Sequence, residues 1–176
     1  MAILKIARMG HPVLLKRAED VADVNAPDIG LLIQDMMETL ADAGGVGLAA
    51  PQVYVSKSIF LYSVPESRSE GEDDPPCGVQ VLINPVLEPM GDELVPRLEG
   101  CLSIPGLRGE VPRYKRVRYA GYDHLGKPVE GVASGFRANV MQHEMDHLDG
   151  ILYPMRMDDL GKLGFDTEIT RYGVRT

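Results

Sequence analysis

No apolar run in the 176-residue chain is long enough to span a bilayer, which needs about 20 consecutive apolar residues. Residues 1–10 hold Lys5 and Arg8 among apolar neighbours, without the long apolar core and small-residue cleavage site of a secretory leader. A cytoplasmic protein is therefore expected from a bacterial source, and an organellar one stripped of its transit peptide stays open. Positive charge is in short supply. Lys and Arg number 18 against 26 Asp and Glu, a net charge of −8, which argues against non-specific nucleic-acid binding as the main activity. Local basic groups at Arg108, Arg113, Lys115, Arg116 and Arg118, and again at Arg171 and Arg175, read as solvated faces. Cysteine is scarcer still. Cys77 and Cys101 build no disulfide framework, and in a reducing compartment each is a functional thiolate or an inert thiol. Internal repeats, low-complexity tracts and linkers are lacking too, so one domain over residues 1–176 is expected.

The patterns that are present alternate between helix and strand. Residues 1–27 read as an extended arm with turns at Gly10, Pro12 and Pro27. From Asp28 the apolar residues Ile29, Leu32, Ile33, Met36, Met37 and Leu40 recur with helical spacing and form one face, an amphipathic helix that Gly44 and Gly45 end. Residues 58–64, 79–84, 117–122 and 129–132 read as strands, the second stopped by Pro85. A hairpin arm is expected over 86–95, turning near Met90-Gly91-Asp92, and 65–78, crowded with Glu, Ser, Gly, Asp and Pro, reads as a mobile surface loop containing Cys77. Strands come first and a buried helix closes the sheet region. The class is α+β, with antiparallel sheets around a central helix.

Gly45-Val46-Gly47-Leu48-Ala49-Ala50-Pro51-Gln52 is glycine-rich but follows a helix and has neither G-x-G-x-x-G nor a Gly-Lys-Ser/Thr ending, so it is no phosphate loop. It is either a tight helix-to-strand connection or a backbone that lies close to a substrate main chain. The central helix carries Gln142-His143-Glu144-Met145-Asp146-His147, with Ser134 as its expected N-cap and Gly150 just beyond its end. Residues four apart share a helix face, so His143 and His147 can hold one metal ion, with Glu144 beside them as a base. Such a site needs a third protein ligand. Glu168 downstream is one source, as in a thermolysin-like endopeptidase. The other is Glu99-Gly100-Cys101-Leu102-Ser103, whose thiolate suits Zn²⁺ or Fe²⁺. Taken alone, Cys101 reads as a buried inert cysteine.

Taken together, the three segments 45–52, 99–103 and 142–147, in that order, resemble the signature motifs of the peptide deformylases. Gly10-His11-Pro12-Val13-Leu14, Leu82-Ile83-Asn84-Pro85, Val111-Pro112-Arg113 and His147-Leu148-x-Gly150 extend the likeness over most of the chain. It departs at Leu98, where many relatives carry a second acid, and in a longer 65–78 loop. The resemblance implies a hydrolase that removes the formyl group from N-terminal formyl-methionine of new proteins, on an α+β fold. It implies Cys101, His143 and His147 as metal ligands, Glu144 as general base and acid, and the Gln52 amide with the Leu102 backbone N–H as oxyanion donors. The backbone around Val46 and Gly47, and Gly100, would hold the peptide as an added strand. Val46, Leu102, Phe136 and Val140 would form the methionine pocket, and Arg108 would touch the peptide further along. The implied cofactor is one divalent ion, Fe²⁺ in the cell, with Zn²⁺, Ni²⁺ or Co²⁺ as alternatives in purified protein. The implied partners are formyl-methionyl nascent peptides and, transiently, the ribosome, towards which Arg171 and Arg175 are a weak pointer; no DNA and no membrane are expected.

Overall fold

Pro27 opens the first helix with its fixed φ, and Asp28 places a carboxylate in the first turn, where the helix dipole favours it. This helix, α1 (Pro27–Ala43), buries Ile29, Ile33, Met36 and Leu40 on one side and leaves Leu31 exposed; left-handed Gly44 ends it. The structure is a computed structural model that describes residues 2–174. After α1 come β1 (Gly47–Ala49), β2 (Ile59–Val64), β3 (Cys77–Pro89), β4 (Leu94–Cys101), β5 (Ile104–Tyr114), β6 (Arg116–Tyr122) and β7 (Pro128–Ser134). The chain closes with α2 (Gly135–Leu148), β8 (Leu163–Phe165) and α3 (Asp166–Tyr172).

The strands form two antiparallel sheets, one in the order β1-β2-β3-β6-β7 and one in the order β4-β5-β8. Helix α2 packs on the larger sheet through Ala138, Val140, Met141 and Leu148, against Phe60, Leu82 and Val117. Helix α1 packs on the same sheet's other residues, with Leu48, Ile59, Leu61, Val81 and Ile83. A third cluster, Ala7, Leu14, Ile104, Val111, Leu152 and Tyr153, joins the amino-terminal arm to the smaller sheet. The arm also links the turn after β1 to the β4–β5 turn, since Ala7 N–H donates to the Gln52 carbonyl at 2.7 Å and Met9 N–H to the Ser103 carbonyl at 2.9 Å.

Several expectations need correction. Pro85 does not stop its strand: β3 runs from Cys77 to Pro89, with left-handed Asn84 (φ 49°) making a bulge between Ile83 and Val86. The Asn84 side chain uses that bend. Its Oδ1 accepts from Val21 N–H at 2.8 Å and its Nδ2 donates to the Val21 carbonyl at 2.9 Å, tying the arm to the sheet. The turn near Met90 is real, but β3 and β4 belong to different sheets and form no hairpin. The sequence pattern marks no strand over residues 96–114, which contain Pro96, Pro105, Gly106, Gly109 and Pro112. Strands β4 and β5 pair nonetheless, with Pro96 opposite Pro112, where neither residue has an N–H to offer. Residues 166–172 are helical, which the sequence pattern does not suggest, and Cys77 begins β3 rather than lying in a loop.

Candidate active site

Two free strand edges frame the site. Strand β1 ends the larger sheet and β4 ends the smaller one. Between them opens a cleft of about 450 Å³ bordered by Val46, Gly47, Gln52, Gly100, Cys101, Leu102, Arg108, Phe136, Val140, His143 and Glu144. Every site residue expected from the sequence therefore borders it, except His147, which lies behind at 1% exposure.

Cys101 is the last residue of β4, and the two-residue turn Leu102-Ser103 leads straight into β5. That hairpin presents the thiol to α2, where Cys101 Sγ lies 3.2 Å from His147 Nε2. One ligand atom each from Cys101, His143 and His147 falls within 4.8 Å of the others. Metal–sulfur and metal–nitrogen bonds of about 2.3 and 2.0–2.1 Å need donors this close, so the set fits one divalent ion, and a thiolate with two imidazoles suits Fe²⁺ or Zn²⁺. Glu168 stands exposed on α3 and does not border the cleft.

The two histidines are held differently. His143 Nδ1–H donates to the ionised Glu99 Oε2 at 2.8 Å, the tautomer that leaves Nε2 with its lone pair for a metal. Glu99 is 5% exposed and takes the Arg113 guanidinium in a fork, 2.7 and 2.9 Å, and the Asn139 amide as well. Burial pushes this carboxyl up, but hydrogen bonds from Arg113 and His143, and their charges, outweigh it and hold Glu99 down at about 2. Arg113 spans to Asp146 at 2.6 Å, and Asp146 also accepts from Arg156 at 2.8 and 3.1 Å. One buried guanidinium thus joins the strand that carries Cys101 to the helix that carries both histidines. The Tyr153 ring stacks on His143 at 6.2 Å, whereas His147 Nδ1 has no partner among the described residues.

Glu144 is 3% exposed, and its Oε2 has no hydrogen-bond partner among the described residues. Burial lifts its carboxyl to about 7, with Glu99 and Asp146 adding to the rise against the opposing His143 and Arg113 charges. A Cβ on Gly47 would lie 2.1 Å from Glu144 Oε1, so only glycine at 47 leaves room for this carboxylate. Gln52 is oriented at both ends. Its Oε1 accepts from Ala49 N–H at 2.8 Å, and its Nε2 donates to Ser103 Oγ at 3.1 Å and lies 3.6 Å from Cys101 Sγ. Gly100 has no such steric reason, since an added Cβ would meet Arg108 Cγ only at 3.5 Å. Arg108 is ion-paired with Asp166 at 2.8 Å.

Likeness to known proteins decides the family. The profile of the polypeptide deformylases matches residues 3–163. The chain is 49% identical over 164 residues to peptide deformylase 1 of Bordetella pertussis, covering 93% of this chain and 92% of that one. The chain belongs to the polypeptide deformylase family. Membership makes it a metal-dependent hydrolase that acts on the N-terminal formyl group of nascent proteins. Two solved structures agree. The class I type b peptide deformylase of Acinetobacter baumannii with Met-Ala-Ser bound gives a TM-score of 0.81 at 36% identity, over 89% of this chain and 99% of that one. The Ehrlichia chaffeensis deformylase in complex with actinonin gives 0.83 at 34% identity, over 91% of both chains.

Sequence reasoning missed how α2 begins. Ser134 stands at the N-cap position, but its hydroxyl donates to the Asp73 carbonyl at 2.7 Å and caps nothing. The cap comes from the 65–78 loop instead. Asp74, 1% exposed, accepts Phe136 N–H at 2.8 Å and Arg137 N–H at 3.2 Å. Glycine at 135 (φ 57°) gives it space, for a Cβ there would meet Asp74 Oδ2 at 2.6 Å. At the far end Gly150 acts as expected, with Ile151 N–H bonded to the Asp146 carbonyl and Gly150 N–H to that of His147. The loop is tied down further by Glu70 on Arg97, Ser69 on the Asp74 carbonyl and Arg137 on the Pro75 carbonyl. Of the tail arginines, Arg171 lies on α3 with its guanidinium over the Tyr172 ring, and Arg175 is outside the described residues.

Proposed function

We propose that this cleft binds the formyl-methionyl end of a new polypeptide and hydrolyses the formamide to formate and a free amine, with Cys101, His143 and His147 as metal ligands. The observation that carries the reading is Glu144: a buried carboxylate with a free oxygen, beside the ligand cluster and packed directly against Gly47. A structural metal site needs no such base. When bound, the ion supplies a Lewis acid and lowers the pKa of a coordinated water from about 15.7 towards about 7. Glu144 takes the proton as water attacks the formyl carbon and returns it to the departing amine, work for which a carboxyl near 7 is matched. Gln52 Nε2, aimed towards Cys101, and the Leu102 N–H in the hairpin turn are the donors to the developing oxyanion.

The two free edges support a reading of how the peptide would be held. An extended chain between β1 and β4 would use backbone groups at Val46, Gly47 and Gly100, as strands add to sheet edges elsewhere. Val46, Leu102, Phe136 and Val140 offer the methionine side chain an apolar wall. Fe²⁺ is the proposed ion in the cell, and its thiolate ligand makes activity decay in air. The nascent-chain substrate, together with bacterial relatives, supports a cytoplasmic site of action with transient contact with the ribosome.

The test is formate release from formyl-Met-Ala-Ser, with protein purified under argon and supplied with Fe²⁺ or Ni²⁺. Release that disappears in Glu144→Ala and is far weaker on the N-acetyl peptide is expected. No formate from fully metallated protein overturns the reading.

A further inference from the structure

Residues 65–76, the loop between β2 and β3, contribute one side chain to the cleft, and it is Arg68. Its guanidinium carbon lies 5.5 Å from the centroid of the Phe136 ring, the ring assigned above to the methionine pocket. Arg68 is exposed and has no ion-pair partner among the described residues. The cleft's other guanidinium, Arg108, is neutralised by Asp166 at 2.8 Å. The loop's acids do not cancel Arg68 within the cleft. Glu70 is committed to Arg97 and Asp74 to the α2 amides, and Glu66, Glu72 and Asp73 do not border it. The mouth of the cleft on an acidic chain therefore carries one uncompensated positive charge.

That charge is held in place. Asp74 grips the N–H of Phe136 while Arg68 covers the ring of the same residue, so loop and pocket wall form one unit. A cation resting on an aromatic face keeps its N–H groups free for a carboxylate, and a guanidinium offers them as a planar fork.

We propose that Arg68 is a specificity-determining residue that favours peptides bearing a carboxylate in the residues just after formyl-methionine. The proposal rests on the deformylase reading. An acidic side chain and the free carboxyl terminus of a short peptide share the required chemistry. Opposite charges about 4 Å apart in bulk water gain roughly 1 kcal/mol, about a fivefold preference at low salt, and it fades as ionic strength rises.

The experiment compares kcat/KM for formyl-Met-Ala-Asp-amide, formyl-Met-Ala-Ser-amide and formyl-Met-Ala-Lys-amide, with the acid also moved to the second position. Formyl-Met-Ala-Ser as free acid against its amide separates the terminal carboxylate from the side chain. Wild type should prefer the acidic over the neutral peptide about fivefold and disfavour lysine. Arg68→Gln should bring the Asp-to-Lys ratio towards one, Arg68→Glu should invert it, and Arg68→Lys should retain much of it. A wild-type ratio of one, or a preference that survives in Arg68→Gln, overturns the proposal. Absence of formate from every peptide, the neutral amide included, overturns the deformylase reading itself, and this proposal falls with it.

Discussion

Asp74→Ala is the most informative single change outside the ligand set. The carboxylate is buried and receives the first free N–H groups of α2, from Phe136 and Arg137, together with Glu70 N–H at 3.2 Å. Losing a helix cap costs about 0.5–2 kcal/mol, and a buried N–H left without an acceptor costs roughly 1–3 kcal/mol. The charge at the positive end of the helix adds about 0.3–1 kcal/mol. Because water can enter once the side chain is gone, these do not sum in full, and about 2–4 kcal/mol is expected. At about 2–4 °C per kcal/mol for a chain this size, Tm falls by about 5–15 °C. Asp74→Asn keeps an acceptor but loses the charge and should fall about midway. Ser134→Ala removes a single hydroxyl bond to a carbonyl and should cost about 1 kcal/mol or less. Calorimetry of the metal-loaded proteins measures the order, and amide exchange at residues 136–138 reports the cap directly. Ser134→Ala as costly as Asp74→Ala would refute the reasoning.

Other outcomes follow from the same geometry. Gly47→Ala places a Cβ 2.1 Å from Glu144 Oε1; it should lower kcat by about 10²-fold or more, as expected when a proton-transfer group is displaced, while metal content measured by atomic absorption stays unchanged. Arg113→Met strips the shared partner from the buried Glu99 and Asp146 and should destabilise the protein by about 3–5 kcal/mol in urea denaturation. Glu70 is hydrogen-bonded by Arg97, which holds its carboxyl below its ordinary value. A depressed folded pKa means the tether contributes fully above the normal carboxylate range and is lost as pH falls through the folded value, so amide protection in 69–74, taken relative to the intrinsic exchange rate at each pH, should fall on acidification, and Arg97→Gln should remove that pH dependence.

Much of the chemistry was legible because it is local. His143, Glu144 and His147 lie on one helical turn, and the spacing of the apolar residues in α1 predicts its buried side. What stayed hidden depends on contacts distant in sequence. Asp74 caps a helix 62 residues on, and Arg113 reaches Asp146 across 33 residues. No periodicity marks such a residue; Arg113 looks like one more surface cation in a basic cluster. Strands β4 and β5 were obscured by prolines and glycines that local propensity places in loops, and pairing overrides that preference. The 65–78 loop reads as mobile by composition, yet its Asp74 is as buried as the core.

The bend at Asn84 bears on chemical ageing. Both ends of that amide are used, so conversion to aspartate would set a carboxylate oxygen against the Val21 carbonyl and release the arm. Asparagine ordinarily deamidates when the next backbone nitrogen attacks the side chain and closes a succinimide. Here the next residue is Pro85, whose nitrogen has no hydrogen to lose. The proline that interrupts the ladder also closes the main route by which this rivet would decay, and the arm that staples Gln52 to Ser103 keeps its anchor over the life of the enzyme.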